Sequence, residues 1–242
     1  MPLSLRSADK RRVLVFGASG HAKVVLDILR LLGGFVIAGL LDDFKPIGFE
    51  CLGERVVGTL RDLASLAAEY GDPQIIVAVG DNWKRSLIVQ QIQQISPSST
   101  FLSAIHPSAQ IGSDVSIGAG TVIMAGAVVN AGARIGPFCI LNTRASLDHD
   151  STMGEFASLA PAATIGGGVA IGSFTNIGIG ATVLQEMSIG RHTVIGAGAV
   201  VTKAIPDEVV AYGTPARVIR SRKPGDRYLS ESLLREAAGV GR

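Results

Sequence analysis

The chain has 242 residues, of which 47% are hydrophobic, and its 22 Lys and Arg against 20 Asp and Glu give a net charge of +2. This balance gives no indication of a nucleic-acid partner, which usually requires a concentrated basic face, and the length allows one large domain or two modest ones. The two cysteines, Cys51 and Cys139, match neither a disulfide framework nor a metal-ligand spacing. No apolar run approaches the ~18 residues of a spanning helix, so a cytoplasmic protein without a membrane span is expected.

The first part of the chain alternates strand-like and helix-like segments. Strands are predicted at 13–16, 35–43, 75–80 and 100–103, and helical spacing covers 20–33, 60–71 and 82–95. Alternation of this kind favours a parallel sheet with helices packed on it. The sequence therefore predicts an α/β, Rossmann-like domain over residues 1–103.

Glycines and polar residues collect where the predicted strands end. The turn after the first strand, GASGH, contains Gly17 and Gly20, and backbone N–H groups at the following helix N-terminus suit a phosphate; a plain tight turn also explains these glycines. The carboxyl ends of parallel strands meet at one edge of the sheet. That edge would also receive the residues after the next predicted strands, Asp42, Asp43, Lys45, Gly80, Asp81 and Asn82. Together they predict a nucleotide pocket, with His21 as a structural residue or a phosphate neighbour.

From Ile105 the sequence repeats every six residues. Seventeen hexads run without insertion from 105 to 206, and each begins with Ile, Leu, Val or Met. The fifth position is Ala, Ser, Thr, Cys or Val in all but two hexads, which have Met187 and Ile205. This period predicts a solenoid of short parallel strands over residues 104–220, in which residues 18 apart stack about 4.8 Å from each other. The tail, 221–242, is expected to be a short amphipathic helix or disordered.

One turn of the repeat, in the hexad LDHDST, carries chemistry that packing does not need. Asp148, His149 and Asp150 stand together where the repeat otherwise avoids charge. A carboxylate beside an imidazole can fix its tautomer and stabilise its charged form, as a general base requires; a solvated corner is the alternative. His106, His149 and His192 follow one another at equal intervals that are not a whole number of coils, which places them on different faces of the solenoid. No metal site is therefore expected within one chain.

Several segments resemble the bacterial sugar-nucleotide N-acetyltransferases, which are hexapeptide-repeat enzymes with sialic-acid O-acetyltransferase-like relatives. The segments are GASGHAKVV, LLDDFKPIGFE, AVGDN, NTRASLDHDSTMGEF and VVTKAIPDEVVAYGTPARVI, and the resemblance spans about residues 12–220. It implies a left-handed parallel β-helix and a homotrimer with grooves between subunits. It also implies transfer of an acetyl group from acetyl-CoA to the 4-amino group of a nucleotide-linked 4-amino-4,6-dideoxy sugar, with UDP as the preferred nucleotide.

The resemblance further implies roles for individual residues. His149 would be the general base, Asp150 its partner, and Gly167 the backbone donor to the oxyanion; the coil spacing independently stacks Gly167 one coil beyond His149. Acetyl-CoA would contact Ile179, Ala197, Thr202, Lys203 and Pro215. The nucleotide-sugar would contact Gly17, Ser19, Gly20, Asp42, Asp43, Lys45, Asn82 and Asn142. Many members have a second histidine shortly after the base, at the position where this chain has Ser158.

Two alternative functions stay open at this point. The same base would serve an O-acetyltransferase by deprotonating a hydroxyl of a sialic-acid-type sugar. A protein of another class, a non-catalytic nucleotide-sugar-binding scaffold, would use its solenoid only to trimerise. The intact Asp-His-Asp sequence at 148–150 argues against the scaffold.

Overall fold

The first part of the chain forms a five-stranded sheet, here sheet I, with helices on both faces. The computed structural model describes residues 11–228. The strands are β1 (Arg11–Phe16), β2 (Phe35–Leu41), β3 (Glu50–Cys51), β4 (Glu54–Gly58) and β5 (Gln74–Val77), and the helices are α1 (Gly20–Leu32), α2 (Leu63–Tyr70) and α3 (Asn82–Ile95). The strand order is β3-β4-β2-β1-β5, and every pair is parallel except β3 with β4.

Burial on both faces explains why 13–16, 40–41 and 75–77, the central parts of β1, β2 and β5, are apolar. On one face, α1 packs against the sheet through Val25, Leu26 and Leu29. On the other face, α2 and α3 contribute Leu63 and Ile92 to a second cluster. Each helix begins near the carboxyl edge of the strands and runs antiparallel to them along a face of the sheet. No helix therefore crosses the carboxyl edge itself within the described residues.

Two local predictions differ from the structure. The strand predicted at 100–103 is reduced to a single bridge between Ile75 and Phe101. The β3–β4 hairpin has no counterpart in the predicted elements. Its two turn residues, Leu52 and Gly53, have φ values of 50° and 78°, and leucine is not typical of that conformation. Only the glycine could have signalled the turn.

The rest of the described chain is a triangular solenoid with three parallel sheets. Sheet II contains β6 (Ala104–Ile105), β9 (Val122–Ile123), β12 (Ile140–Leu141), β15 (Ser158–Leu159), β18 (Asn176–Ile177), β21 (Val194–Ile195), β23 (Val209–Gly213) and the antiparallel β24 (Ala216–Ser221). Sheet III contains β7 (Gln110–Ile111), β10 (Val128–Val129), β13 (Ser146–Leu147), β16 (Thr164–Ile165), β19 (Thr182–Val183) and β22 (Val200–Val201). Sheet IV contains β8 (Ser116–Ile117), β11 (Arg134–Ile135), β14 (Thr152–Met153), β17 (Ala170–Ile171) and β20 (Ser188–Ile189).

The hexad pattern predicted from the sequence is the packing pattern of this solenoid. Leading residues such as Leu141 and Leu159 are fully buried and pair in register with each other on adjacent coils. Fifth-position residues such as Ala145 and Ala157 are also fully buried beside them. Each coil thus stacks large on large and small on small, and the predicted solenoid is confirmed.

The final predicted hexad, at 201–206, does not keep the period. Ile205 pairs with Ile189, and Val210 pairs with Val194, so each partner is nearer in sequence than a full coil of three hexads. The corner after Val201 is therefore shorter than the others. This explains the bulky Ile205 at a fifth position, because it fills the interior as a leading residue and is only 6% exposed.

The α/β domain rests on sheet II and on the corner between sheets IV and II. Four rings stack along this corner, each one coil from the next: Phe138, Phe156, Phe174 and His192, with centroids 4.6–5.1 Å apart. Phe101 meets the first ring edge-on at 4.9 Å. Residues of α1 share a core with Ala104 and Ile140 of sheet II. The solenoid is therefore continuous with the cores of the α/β domain.

Beyond β24, residues 222–228 fold back onto the domain junction without forming a helix. The remainder of the tail, for which a helix or disorder is expected, lies outside the described residues. No helix within residues 11–228 is both long enough and apolar enough to span a bilayer.

Candidate active site

His149 lies in the turn between β13 and β14, at the corner between sheets III and IV. Its Nδ1 is 2.9 Å from a carboxylate oxygen of Asp150. Asp148 accepts hydrogen bonds from the backbone N–H of His149 at 2.7 Å and from Asn130, one coil earlier, at 2.6 Å. Asp148 therefore fixes the turn, while Asp150 orients the ring. With Nδ1–H donated to Asp150, Nε2 is the nitrogen left to accept a proton.

Both neighbouring carboxylates act on the imidazole. The hydrogen bond to Asp150, followed by the negative charge of Asp148, raises the pKa of His149 above its ordinary value. The hydrogen bond from Asn130, followed by that from the His149 N–H, lowers the pKa of Asp148. The side chains of His149 and Asp150 are 62% and 75% exposed, so this corner is open to a substrate or to another subunit.

Gly167 lies one coil beyond the imidazole, as the spacing predicts. The N–H of Gly168 donates to the His149 carbonyl at 2.9 Å. A Cβ at residue 167 would lie only 2.5 Å from Nε2 of His149, so glycine alone fits beneath the ring. Within residues 11–228 the Gly167 N–H has no backbone or side-chain acceptor. It is thus free to donate to an anionic oxygen that forms beside Nε2.

The residues predicted to bind acetyl-CoA divide between two corners of the prism. Ile179, Ala197 and Pro215 follow strands of sheet II, at the corner with sheet III, and all three are exposed. Lys203, also exposed, lies at the corner between sheets III and IV, three coils from His149 and about 14 Å along the axis. Thr202 is its neighbour in the same turn. Within one chain the predicted acetyl-CoA residues therefore lie on opposite edges of sheet III.

The predicted nucleotide-sugar residues gather at the carboxyl edge of sheet I. Gly17 has a φ of 113°, and a Cβ there would lie 2.8 Å from the carbonyl oxygen of Ala78. Glycine is therefore required for the ends of β1 and β5 to approach each other. Ser19 and Gly20 are exposed at the start of α1, and Ser19 makes no side-chain capping bond. The helix N-terminus is open to an anion.

Asp42 and Asp43, which follow β2 at this edge, differ in their hydrogen bonds. Asp42 accepts hydrogen bonds from three backbone N–H groups, those of Ala18 at 2.8 Å, Phe44 at 2.9 Å and Lys45 at 3.0 Å. Asp42 therefore braces the turn. Asp43 is exposed and uses one oxygen for the N–H of Leu60 at 2.9 Å, which leaves its other oxygen for a ligand.

Two residues predicted to contact the nucleotide-sugar lie elsewhere. Asn82 is 1% exposed, and its amide donates to the carbonyls of Phe174 and Thr175 at 3.4 and 3.2 Å. It therefore joins the α/β domain to the solenoid and does not face the open edge. Asn142 lies at the corner between sheets II and III, where its side chain accepts from the N–H of Thr143. That corner is one side of the prism away from His149.

Ser158 is likewise separated from the base. It begins β15 on sheet II, is 6% exposed, and donates to Asn176 at 2.9 Å. Its position belongs to the junction with the α/β domain, at a different corner from His149.

Arg85, in α3, is a buried residue beside the predicted site that the sequence did not single out. It is 1% exposed and donates to the carbonyls of Val79, Gly80, Phe138 and Phe156 at 2.8–3.1 Å. Arginines on helices are usually solvated, so nothing in the sequence distinguishes this one. Its guanidinium ties the loop after β5 to two coils of the solenoid.

Burial, with a further contribution from Arg85, lowers the pKa of His21 to about 4. His21 is therefore neutral near pH 7 and offers a phosphate no positive charge. Its Nε2 is buried without a partner among the described residues. Elsewhere in residues 11–228, no group of three or more His, Cys, Asp or Glu side chains is placed to hold a metal ion. His106, His149 and His192 each occupy a different corner of the prism.

Comparison with known proteins covers both parts of the chain. Residues 12–92 match the family described as "PglD N-terminal domain", and residues 108–143 match "Bacterial transferase hexapeptide (six repeats)". A UDP-N-acetylbacillosamine N-acetyltransferase of Bacillus subtilis is 37% identical over 113 residues, which is 46% of this chain. The match spans about half (50%) of that relative's length.

Solved structures match over more of the chain. PerB of Caulobacter crescentus, in complex with CoA and GDP-perosamine, is 37% identical with a TM-score of 0.81, covering 86% of this chain and 97% of its own. The acetyltransferase domain of PglB from Neisseria gonorrhoeae, in complex with acetyl coenzyme A, is 35% identical with a TM-score of 0.80. That match covers 87% of this chain and 100% of the other.

Proposed function

The chain belongs to the bacterial sugar-nucleotide N-acetyltransferases with a left-handed parallel β-helix, and on that premise we propose that it acetylates the 4-amino group of a UDP-linked 4-amino-4,6-dideoxy sugar. Acetyl-CoA is the acetyl donor, and no metal takes part. UDP is the proposed nucleotide because the Bacillus subtilis relative is a UDP-N-acetylbacillosamine N-acetyltransferase. The GDP-perosamine bound by PerB makes GDP the competing nucleotide.

His149 acts as the general base in this proposal. The sugar nitrogen attacks the thioester carbonyl carbon, and Nε2 of His149 takes the proton that the nitrogen loses. A C–N bond forms, the C–S bond breaks, and the departing thiolate of coenzyme A takes the proton from the His149 imidazolium, which restores the neutral base. Asp150 holds the ring through Nδ1, 2.9 Å away, and stabilises the imidazolium while it carries the proton.

Gly167 stabilises the charge that develops on the carbonyl oxygen. Gly167 stacks against the His149 ring, and its N–H is not used by the described part of the chain. A donor placed where charge develops lowers the barrier more than one that binds only the ground state. This stacking of base and donor on adjacent coils is the observation that carries the proposal.

Acetyl-CoA is proposed to bind between two subunits of a homotrimer. One subunit would supply Ile179, Ala197 and Pro215, and its neighbour would supply Thr202 and Lys203 along the corner that carries His149. The division of these residues between opposite edges of sheet III supports this arrangement.

The cytoplasm is the proposed compartment, in keeping with free Cys51 and Cys139.

The nucleotide-sugar is proposed to bind the carboxyl edge of sheet I. The Gly17 turn with Ser19 and Gly20 would receive the diphosphate, and Asp43 and Lys45 would lie beside the nucleoside. Within one chain, Asn82 is buried against the solenoid and Asn142 lies at the corner that carries Ile179 and Ala197. Asn142 is therefore proposed to reach the sugar from a neighbouring subunit, and Asn82 to act from behind the edge.

The test is thiol release from acetyl-CoA with UDP-, GDP- and dTDP-linked 4-amino sugars and a sialic-acid acceptor. We expect turnover with an amine and at least 10²-fold less with His149→Ala, since a general base typically contributes about 10²–10⁴-fold. His106→Ala, at another corner, is the matched control and should keep full activity. Turnover with the hydroxyl acceptor alone would replace the N-acetyltransferase with an O-acetyltransferase. No turnover with any acceptor would leave only the scaffold.

A further inference from the structure

Residues 222–228, here called the strap, cross the junction between the two parts of the chain. Arg222 is 7% exposed, and its guanidinium donates to the carbonyls of His192 and Asp226. The Asp226 N–H donates to the Lys223 carbonyl at 3.1 Å, and the Asp226 carboxylate accepts from the Lys223 N–H at 2.9 Å. The strap therefore has a defined turn anchored on the last ring of the aromatic corner.

The middle of the strap packs on Trp83, which is the only tryptophan of the chain. Gly225 has a φ of 85°, and a Cβ there would lie 3.1 Å from Nε1 of the indole. The same indole lies 5.8 Å from the ring of Phe174 and 5.9 Å from that of His192. Trp83 is thus held between the strap and the solenoid, in the first turn of α3.

Tyr228 ends the strap with a hydrogen bond to α3. Its hydroxyl oxygen accepts from the backbone N–H of Asn82 at 3.0 Å. Burial raises the pKa of the Tyr228 phenol, so the hydroxyl stays protonated. The bond joins the strap to the first residue of α3.

The N-terminus of α3 is a boundary of the nucleotide edge. Asn82 comes directly after the loop that follows β5, and Ala78 in that loop faces Gly17. Arg85 holds the carbonyls of Val79 and Gly80 from the solenoid side. The strap contacts the other end of the same loop, because the Tyr228 hydroxyl accepts from the N–H of Asn82, the first residue of α3.

We propose that Tyr228 is a positioning residue for nucleotide-sugar binding, acting through the N-terminus of α3. This rests on the proposed function, because the carboxyl edge must be where the nucleotide-sugar binds. Tyr228 touches no acetyl-CoA residue, since those lie at the two edges of sheet III. Loss of its hydroxyl loosens the loop and weakens binding of the nucleotide-sugar alone.

The experiment compares Tyr228→Phe with Tyr70→Phe in the full chain. We expect the KM of the nucleotide-sugar to rise about three- to tenfold in Tyr228→Phe, as for loss of one hydrogen bond, while the kcat and the acetyl-CoA KM change less than twofold. Tyr70→Phe, at the end of α2 far from the strap, should change none of them. An equal loss in all parameters, or no change in the nucleotide-sugar KM, would overturn the proposal.

A second measurement is independent of turnover. Acrylamide quenching of Trp83 fluorescence and calorimetric titration with UDP and GDP are recorded for both variants. Weaker nucleotide binding with greater Trp83 quenching in Tyr228→Phe supports the strap, even if no amino sugar is acetylated and the proposed function fails. Greater quenching with unchanged binding of both nucleotides would make the strap a structural element only, and the proposal would be wrong.

Discussion

The proposed reacting groups depend on a few side chains at one corner of the prism. His149 is oriented by Asp150, its turn is fixed by Asp148, and Gly167 leaves room for its ring. Asp150 fixes the tautomer and is the main cause of the raised pKa of His149, to which the negative charge of Asp148 also contributes. Asp148 fixes the backbone of the turn, and Gly167 sets the distance of closest approach.

Asp150→Asn is expected to move the pH profile to lower pH and to lower the rate. The hydrogen bond to Asp150 is the main cause of the raised pKa of His149, and only the neutral imidazole accepts a proton. The acidic limb of kcat/KM should therefore lie at lower pH in the variant. The plateau should drop by at least about tenfold, though less than the ~10⁴ seen for a buried triad.

The pH profile has a matched control in Asp114→Asn. Asp114 occupies the same turn position two coils earlier and also has a positive φ, 56° against 58° at Asp150. Its replacement should leave the profile of kcat/KM unchanged. An acidic limb that stays in place in Asp150→Asn would mean that another group controls it.

Gly167→Ala is expected to disable the site without unfolding the protein. The new Cβ would lie within 3 Å of two ring atoms of His149, at 2.5 and 2.7 Å, so the imidazole must swing away. Because small displacements of a catalytic group cost about 10²-fold, kcat should fall by that order. Gly34→Ala is the control, since a Cβ there meets no atom within 4 Å. Unchanged kcat would remove Gly167 from the site.

At the scale of the elements, the corner between sheets IV and II supplies the apolar surface that is buried at the junction with the α/β domain. Phe138, Phe156 and Phe174 stack outside the prism and bury against the α/β domain, and His192 completes the column. All four rings project from residues with positive φ. The left-handed corner conformation costs energy, and the ring contacts offset it.

Phe156→Ala is expected to destabilise the protein by about 3 kcal/mol, the lower end for a buried phenylalanine. Its ring is 7% exposed and lies between two other rings. Thermal denaturation would measure the lowered Tm. Phe44→Ala is the matched control because that ring is 95% exposed, and it should leave Tm nearly unchanged. Equal Tm values in the two variants would contradict a structural role for the column.

Features that depend on the regular spacing of the repeat could be predicted from the sequence, whereas those that depend on contacts between distant, unrelated positions could not. The hexads determine coil packing because each leading residue meets another of the same kind on the next coil, so Leu141 and Leu159 are recognisable in advance. The Gly167 placement follows from the same count. The burial of Asn82 depends on contacts with residues 92 and 93 positions away. Its bond to Tyr228 spans 146 positions, and no local pattern encodes it.

At the scale of the whole molecule, the three corners of the solenoid divide the work. One carries His149 and Lys203, one carries Ile179, Ala197 and Pro215, and one holds the α/β domain. The proposed acetyl-CoA groove uses the first corner of one subunit and the second of its neighbour. An isolated chain would then lack a complete site.

Mixed trimers should therefore recover activity from two inactive variants. His149→Ala removes the base, and Ile179→Glu places a charge at a residue that is 59% exposed and lies on the opposite edge of sheet III. Each variant alone should have almost no turnover. Co-expression at equal levels should restore about a quarter of wild-type activity, since one site in four pairs an intact base with an intact neighbour. No recovery would mean that one chain contains the complete site.

The ends of the solenoid determine whether another molecule can add strands to it. The last parallel coil presents backbone N–H and C=O groups that could template further strands, as at any sheet edge. On sheet II this edge is closed by β24, which runs antiparallel to β23, and at the other end α1 packs against β6. A second molecule therefore finds no free parallel strand to continue on that face.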